Sequence, residues 1–479
     1  MKDSRRNPHH LAEQFLALDR KKVFRYHRAE LWCWNGIHYV AVPDTDFRAQ
    51  ITQFTREYFR RHHVAGKYGN TENVTTALIA NVVRALEGMT LVPDAVEQQT
   101  WLGSGEDAKF ISFKNGLVRL DELLDKSRHA TLRPHSPEWF SPFSLPYEYD
   151  PKAQCPLWLK FLDEVLEGDP ERIALLQEEF GYALTPDITQ QKFFVHEGEG
   201  ANGKGVVQEL LVALVGEQNC GHLPLELLDS QFGPSVLLGK LVNFSSEAEG
   251  ITGTGEAWLK TYVGGDKVTI NQKYKPLVNV RPTARLVIST NNRPQFKDTS
   301  LGLWRRMVLI PFRVTIPEVR QDKTLAEKLK RELPGILNWS VEGLRRLRRQ
   351  GRFTEPVICR EAVQEYRSEV NPARTFLFEN YREGHGSVPC IELYDYYRAW
   401  CERRGYKAAT DTEFGKQVRR VFPKVVRERT GAGRRLYVYE GLVCSARGTD
   451  NDAVVDDEWA PYEAAPGGKA EPDTISGLQ

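Results

Sequence analysis

The chain has 479 residues, 27% charged and 41% hydrophobic, and its net charge is only +1. That length suits about three domains and a large buried core. No apolar run approaches the ~20 residues that cross a bilayer, and the seven scattered cysteines form no C-x-x-C pair, which sets aside membrane, disulfide-scaffold and zinc-ribbon readings.

The charge is unevenly placed. Residues 446–479 hold two basic and eight acidic residues and are rich in Gly, Ala and Pro, so they read as a disordered acidic tail on a basic body. At the other end, Met1-Lys2-Asp3-Ser4-Arg5-Arg6-Asn7 has no apolar stretch behind its charges. No signal peptide is expected there, and the expected location is the cytoplasm, with reduced thiols and no membrane contact.

Residues 1–150 are expected to form an N-terminal α+β region. Apolar spacing predicts helices over 47–61 and 74–86. Short strands with turns at Asn35-Gly36 and Asn115-Gly116 are expected in 31–42 and 110–120. Four prolines between 134 and 146 then make an irregular connector.

Residues 151–355 read as an α/β core. Residues 155–166 are apolar on one helical face, and Asp169-Pro170 is a cap followed by proline at the first position of a helix to about Leu184. A buried strand, Phe193-Phe194-Val195-His196-Glu197, then runs into Gly198-Glu199-Gly200-Ala201-Asn202-Gly203-Lys204-Gly205. This matches the phosphate-binding loop G-x-x-x-x-G-K. Such a loop turns backbone N–H groups toward a triphosphate, the following helix offers its positive end, and the lysine meets the β and γ phosphates. The residue after the lysine is normally Ser or Thr, whose hydroxyl binds Mg²⁺; Gly205 has none. Taken alone, the stretch also fits a glycine-rich turn without a ligand.

Further strands are expected at 241–244, 267–270 and 285–290, with helices between them, which implies a largely parallel sheet. The first ends in Ser245-Ser246-Glu247-Ala248-Glu249, where Glu247 could bind Mg²⁺, directly or through water, or orient the attacking water. The last runs into Asn291-Asn292-Arg293-Pro294, an amide able to hold water near the γ phosphate or merely an Asn-rich turn. Between them, Lys267, Lys273, Tyr274 and Lys275 lie on two alternating segments. Basic residues beside an aromatic suit single-stranded DNA, although lysines also guard exposed hairpin edges. Trp304-Arg305-Arg306 offers paired arginines, which suit stabilisation of a transferring phosphoryl group. Helices over 322–329 and 333–349 close the core, with Gly351 as the stop.

Residues 356–445 are expected to form a winged-helix DNA-binding domain. Its folded part, 371–445, has 14 basic and nine acidic residues. Helices are expected at 372–382, 391–403 and 411–421, followed by β segments at 425–429 and 436–439. Arg419, Arg420, Arg434 and Arg435 make a second basic surface.

The ordered set Gly-Ala-Asn-Gly-Lys, strand-Ser-Glu, Gly264-Gly265-Asp266, Ser289-Thr290-Asn291-Asn292-Arg293-Pro294 and Trp304-Arg305-Arg306 resembles the superfamily 3 helicases. Within them it looks like the phage/plasmid primase-helicase family, which has poxvirus relatives. Phe113-Lys114-Asn115-Gly116, Leu145-Pro146-Tyr147 and Gly181-Tyr182-Ala183-Leu184 extend the likeness, which covers roughly residues 30 to 440. The resemblance implies an AAA+-like P-loop NTPase core that hydrolyses ATP with Mg²⁺. It makes Lys204 the Walker A lysine, Glu247 the Walker B acid, Asn291 the sensor asparagine, Arg306 the arginine finger and 267–275 the DNA-tracking hairpin. It also implies a hexameric ring moving 3′ to 5′ on single-stranded DNA. A primase domain precedes the helicase in many relatives; about 30 residues precede the likeness here, so a separate primase or polymerase is the expected partner. The rival expectations are an ATP-dependent initiator that binds and melts duplex origin DNA, and a small-molecule phosphotransferase.

Overall fold

A computed structural model describes residues 4–18, 23–64, 73–103, 108–127, 130–246, 250–251, 253–273, 277–294, 296, 301–429 and 436–445. The acidic tail, Glu247, Tyr274, Lys275, Arg434 and Arg435 lie outside the described residues. The chain divides into two compact units, Met1–Asn371 and Pro372–Gln479.

The first unit starts with helices Pro8–Leu18, Asp44–Arg61 and Thr76–Met89 packed beside an antiparallel sheet of Phe24–His27, Glu30–Trp34 and Tyr39–Val42. The turn at Asn35 closes because its side-chain oxygen accepts from Ile37 N and His38 N, each at 2.9 Å. A second antiparallel sheet, Phe110–Phe113, Gly116–Arg119 and Leu132–Arg133, follows. Its Phe113 and Val118 share one apolar core with Trp158, Phe161, Leu210 and Leu337. Tyr147 OH adds a hydrogen bond to Leu214 O at 2.9 Å. The break expected at 150 therefore does not separate two cores.

The centre of this unit is a five-stranded parallel sheet: β1 (Phe193–Glu197), β2 (Cys220–Gly221), β3 (Val242–Ser246), β4 (Arg285–Thr290) and β5 (Met307–Pro311), in the order β2-β3-β4-β1-β5. Its strands are almost wholly buried, which is why they read as continuous apolar runs rather than alternating ones. Two helices, Pro170–Ala183 and Leu333–Gln350, cross so closely that a Cβ on Gly343 would overlap Gln177 O and one on Gly181 would overlap Ser340 O. Glu178, fully buried at that crossing, accepts from Arg346 Nε, Gln350 Nε2, Thr354 N and Thr354 Oγ1 within 2.9 Å. The buried carboxylate is thus fully satisfied and locks the helices together.

Residues 356–370 were expected with the C-terminal domain and form helix Val357–Val370. It belongs to the first unit, because Ala362 and Tyr366 are buried in a core with Phe193, Leu303 and Trp304. The break falls after Asn371 instead of at 356.

The second unit runs helix Pro372–Asn380, strand Tyr381–Pro389, helices Cys390–Arg404 and Asp411–Val421, then strands Val426–Arg429 and Tyr437–Cys444. The three strands form one antiparallel sheet with Tyr437–Cys444 in the middle. The helices close on Phe376, Tyr397, Phe414 and Val418, where Tyr397 and Phe414 stack at 4.5 Å.

Candidate active site

The parallel sheet brings the C-terminal ends of β1, β3, β4 and β5 to one edge. Because β4 lies between β1 and β3, its end is set beside the loop that follows β1. Gly198 N donates to Thr290 O at 3.3 Å, fastening the root of that loop to β4.

The loop Gly198–Gly203 feeds helix Lys204–Val215, and its shape depends on residue size. Gly203 has φ +87°, and a Cβ there would stand 2.7 Å from Val165 Cγ1 and 3.0 Å from Phe161 Cζ. Only glycine satisfies both the left-handed backbone and the contact with the helix beneath. At Gly198 a Cβ would overlap Phe312 O and Asn202 Nδ2. The loop is braced from the other side by Ile316 N donating to Ala201 O at 2.7 Å. Gly205, by contrast, has nothing within 4 Å of an added Cβ.

Lys204 is 5% exposed, and its Nζ donates to Gly198 O and, at 3.1 Å, to Asn291 Oδ1. Burial lowers its pKa, and the charge of Glu197 opposes that effect. Lys204 and Asn291, 87 residues apart in the sequence, are therefore brought together at the sheet edge.

Two residues not singled out beforehand lie in the same place. Glu197 ends β1, and Arg293 follows Asn291 by two residues. Arg293 Nε and Nη2 both donate to the Glu197 carboxylate, the latter at 3.3 Å. Its remaining donors reach Glu365 and Glu369 of helix Val357–Val370, each at 2.8 Å. Burial works against the Arg293 charge, but Glu197, Glu365 and Glu369 outweigh it and raise the pKa. A carboxylate one residue before the loop and an arginine just past the amide were the available signals.

Arg305 and Arg306 lie at the opposite edge. They precede β5, whose register pairs Met307 with Phe193 and Pro311 with Glu197. Five residues at ~3.3 Å each put about 16 Å of strand between them and the Gly198–Gly203 loop. Arg306 Nη1 donates to Gly302 O at 2.6 Å, and burial, then neighbouring Arg305, lowers its pKa. Arg305 is exposed, and its carbonyl accepts from Lys192 Nζ at 2.7 Å.

The segment after β3 also returns to that opposite edge. Strand Val268–Ile270 pairs antiparallel with Val278–Val280, with Lys267 and Lys273 both exposed. The hairpin's base is tied in, since Gln191 Nε2 donates to Gly264 O at 2.8 Å and a Cβ on Gly264 would lie 3.4 Å from Arg306 Nη2. In the second unit Arg419 and Arg420 are exposed on helix Asp411–Val421. Among the described residues no helix is long and apolar enough to cross a membrane, and no three His, Cys, Asp or Glu side chains cluster as metal ligands.

These features define a mixed α/β protein whose parallel sheet is consistent with an NTPase-like core. Comparison with known proteins narrows this. The family model D5 N terminal like matches residues 12–167, a family of unknown function (DUF5906) matches 196–306, and the RFX DNA-binding domain matches 371–446. The chain is 23% identical over 250 residues to the protein named "Putative helicase L207/L206" of Acanthamoeba polyphaga mimivirus, across 45% of this chain and 25% of that one. It is 40% identical over 68 residues to the RFX-like transcription factor daf-19 of Caenorhabditis elegans, across 14% of this chain and 8% of that protein. The chain thus spans a quarter or less of the length of these curated relatives.

Among solved structures, the C-terminal region of NrS-1 in its apo A form superposes with a TM-score of 0.51 at 12% identity. The match covers 91% of this chain and 100% of that one. At that identity the likeness is one of fold. The sequence likeness is thus to a D5 N terminal like model and to a viral protein named a putative helicase, each over part of the chain.

Proposed function

We propose that this chain is an ATP-dependent DNA helicase serving the replication of a phage, plasmid or other mobile element. The observation that carries this reading is the meeting of Lys204 and Asn291 at 3.1 Å, on neighbouring loops of a parallel sheet. A strand, a glycine loop and a helix N-terminus form a cradle for a triphosphate. Support for ATP there comes from Gly198 and Gly203, which keep the loop close to the core, and from Gly205, where an added Cβ would meet nothing within 4 Å. Residues 198–205 would hold the phosphates, Lys204 would neutralise the β and γ groups, and Asn291 would orient water. Mg²⁺ supplies charge neutralisation on the phosphates when bound; Glu247 is the carboxylate proposed to hold it, and Gly205 contributes no ligand.

The far-edge position of Arg305 and Arg306 supports a role on a neighbouring subunit's ATP and hence an oligomer; the superfamily 3 resemblance implies that this is a hexameric ring moving 3′ to 5′ on single-stranded DNA. Residues 267–275 would grip that strand. The second unit would bind DNA as a winged helix through Arg419 and Arg420, together with Arg434 and Arg435. This last part has support of its own, the RFX DNA-binding domain match over 371–446, and it favours a second reading: an initiator that binds and melts origin DNA with little processive unwinding. Unwinding of a forked duplex, measured beside ATPase stimulation by single-stranded DNA, tests both. Stimulated hydrolysis with strand separation supports the helicase, and origin melting without fork unwinding supports the initiator. Hydrolysis indifferent to DNA overturns both.

A further inference from the structure

Glu197 occupies an awkward position for a phosphate site. It is the last residue of β1, adjoining the loop, and only 17% of its side chain is exposed. Its negative charge acts on Lys204, the cation meant for the phosphates. A partly desolvated carboxylate attracts a nearby cation strongly, because the surrounding dielectric is low. Left unpaired, Glu197 would compete with ATP for the lysine.

The structure meets this with Arg293. Its guanidinium, 16% exposed, grips both Glu197 oxygens in the planar two-pronged manner that arginine alone provides. Its other carboxylates, Glu365 and Glu369, are 61% and 42% exposed, so water solvates much of their charge. Tyr366, 5.5 Å from the guanidinium, flanks the inner pair and gives its hydroxyl to Pro294 O, holding the loop after β4 in place.

We propose that Arg293 is a positioning residue that occupies the Glu197 carboxylate and thereby leaves Lys204 available to the phosphates. The proposal rests on the nucleotide-site reading above. It differs from a bracing role, in which Arg293 merely ties helix Val357–Val370 to the sheet, because it makes Glu197 the cause of harm when Arg293 is lost.

The test is a fluorescence titration of the full chain with mant-ATPγS and magnesium. Arg293→Gln should weaken binding about tenfold, and Arg293→Gln/Glu197→Gln should recover to within about threefold of the parent. Arg293→Lys, which keeps the charge, should retain most of the affinity. Glu197→Gln alone replaces the acid with an isosteric amide and tests the same point if Arg293→Gln does not fold; it should bind at least as tightly as the parent. A double variant as weak as Arg293→Gln, or a tenfold loss in Glu197→Gln, overturns the proposal. Lys204→Ala in parallel separates the two levels. If it loses binding, the nucleotide site stands whatever the Arg293 variants do; if it binds like the parent, that site falls and the proposal with it.

Discussion

Lys204 Nζ stands 3.1 Å from Asn291 Oδ1, so the lysine of the glycine loop and the amide at the end of β4 face one point from two strands. The pairing gives the two residues separable effects. Lys204→Ala should abolish ATP hydrolysis and weaken nucleotide binding, with the circular dichroism spectrum unchanged. Asn291→Ala should keep binding and lower kcat by about a hundredfold, the usual loss when one oriented polar group leaves a reacting centre. A folded Lys204→Ala protein with near-parent turnover would remove the loop from the mechanism.

In the proposed nucleotide site Gly205 takes the position where a hydroxyl would bind Mg²⁺, and a Cβ added there would meet nothing within 4 Å. Gly205→Ser should therefore be accepted without strain, and it removes a glycine from the first turn of a helix. The half-saturating Mg²⁺ concentration for ATP hydrolysis should fall several-fold. If it rises, or activity disappears from a folded protein, residue 205 does not face the metal.

Much of this site was legible in the sequence. The Gly198–Lys204 spacing, the strand before it and the Asn291 turn all carry local signals, and Asp169 caps its helix as expected by accepting from Glu171 N and Arg172 N. What was not legible depends on the order of strands. Met307–Pro311 is a five-residue apolar run that was not read as a strand, yet it adjoins β1 and determines which edge Arg305 and Arg306 occupy. The Glu197–Arg293 pair joins residues 96 apart, and no local period announces it. Strand Tyr381–Pro389 was also missed, since it is rich in Gly, has no fully buried residue and carries a register shift between Glu383 and Ser387, leaving no apolar alternation to detect.

The arginine pair can be tested by subunit mixing. Some 16 Å of strand separates it from its own loop, so any contact with ATP must come from another subunit. Arg306→Ala and Lys204→Ala should each be inactive. An excess of Lys204→Ala subunits mixed with Arg306→Ala subunits should restore part of the activity, because some interfaces then combine an intact loop with an intact arginine. Mass photometry must confirm mixed oligomers. If mixing restores nothing, Arg305→Ala should be examined in the same way, since Arg305 is the exposed member of the pair.

The helix crossing under the sheet predicts a stability effect remote from the chemistry. A Cβ on Gly343 would overlap Gln177 O, a backbone atom that cannot turn aside. Gly343→Ala should cost about 2 kcal/mol through overpacking, lowering the apparent melting temperature by a few degrees. Glu178 lies at the same crossing with four donors, and Glu178→Ala should cost more, about 3 kcal/mol or above, because it leaves the Arg346 guanidinium short of its partner. Calorimetry that ranks Gly343→Ala as harmless would mean the helices can slide apart.

The two basic surfaces can be separated because they belong to different units. Lys267 and Lys273 sit on the hairpin of the first unit, whereas Arg419 and Arg420 sit on a helix of the second. If the hairpin grips single-stranded DNA, Lys273→Ala should impair unwinding and DNA-stimulated hydrolysis more than basal ATPase. Loss of one phosphate contact should reduce the salt slope of single-strand binding by about 0.7. Deleting residues 372–479 should instead weaken duplex or origin binding while the ATPase survives, because the first unit keeps its own cores and its whole parallel sheet. Affinity for a single-stranded oligonucleotide across a salt titration decides between the surfaces. An unchanged slope for Lys273→Ala, with single-strand binding lost only in the deletion, moves the grip to the second unit and favours an initiator over a translocating helicase.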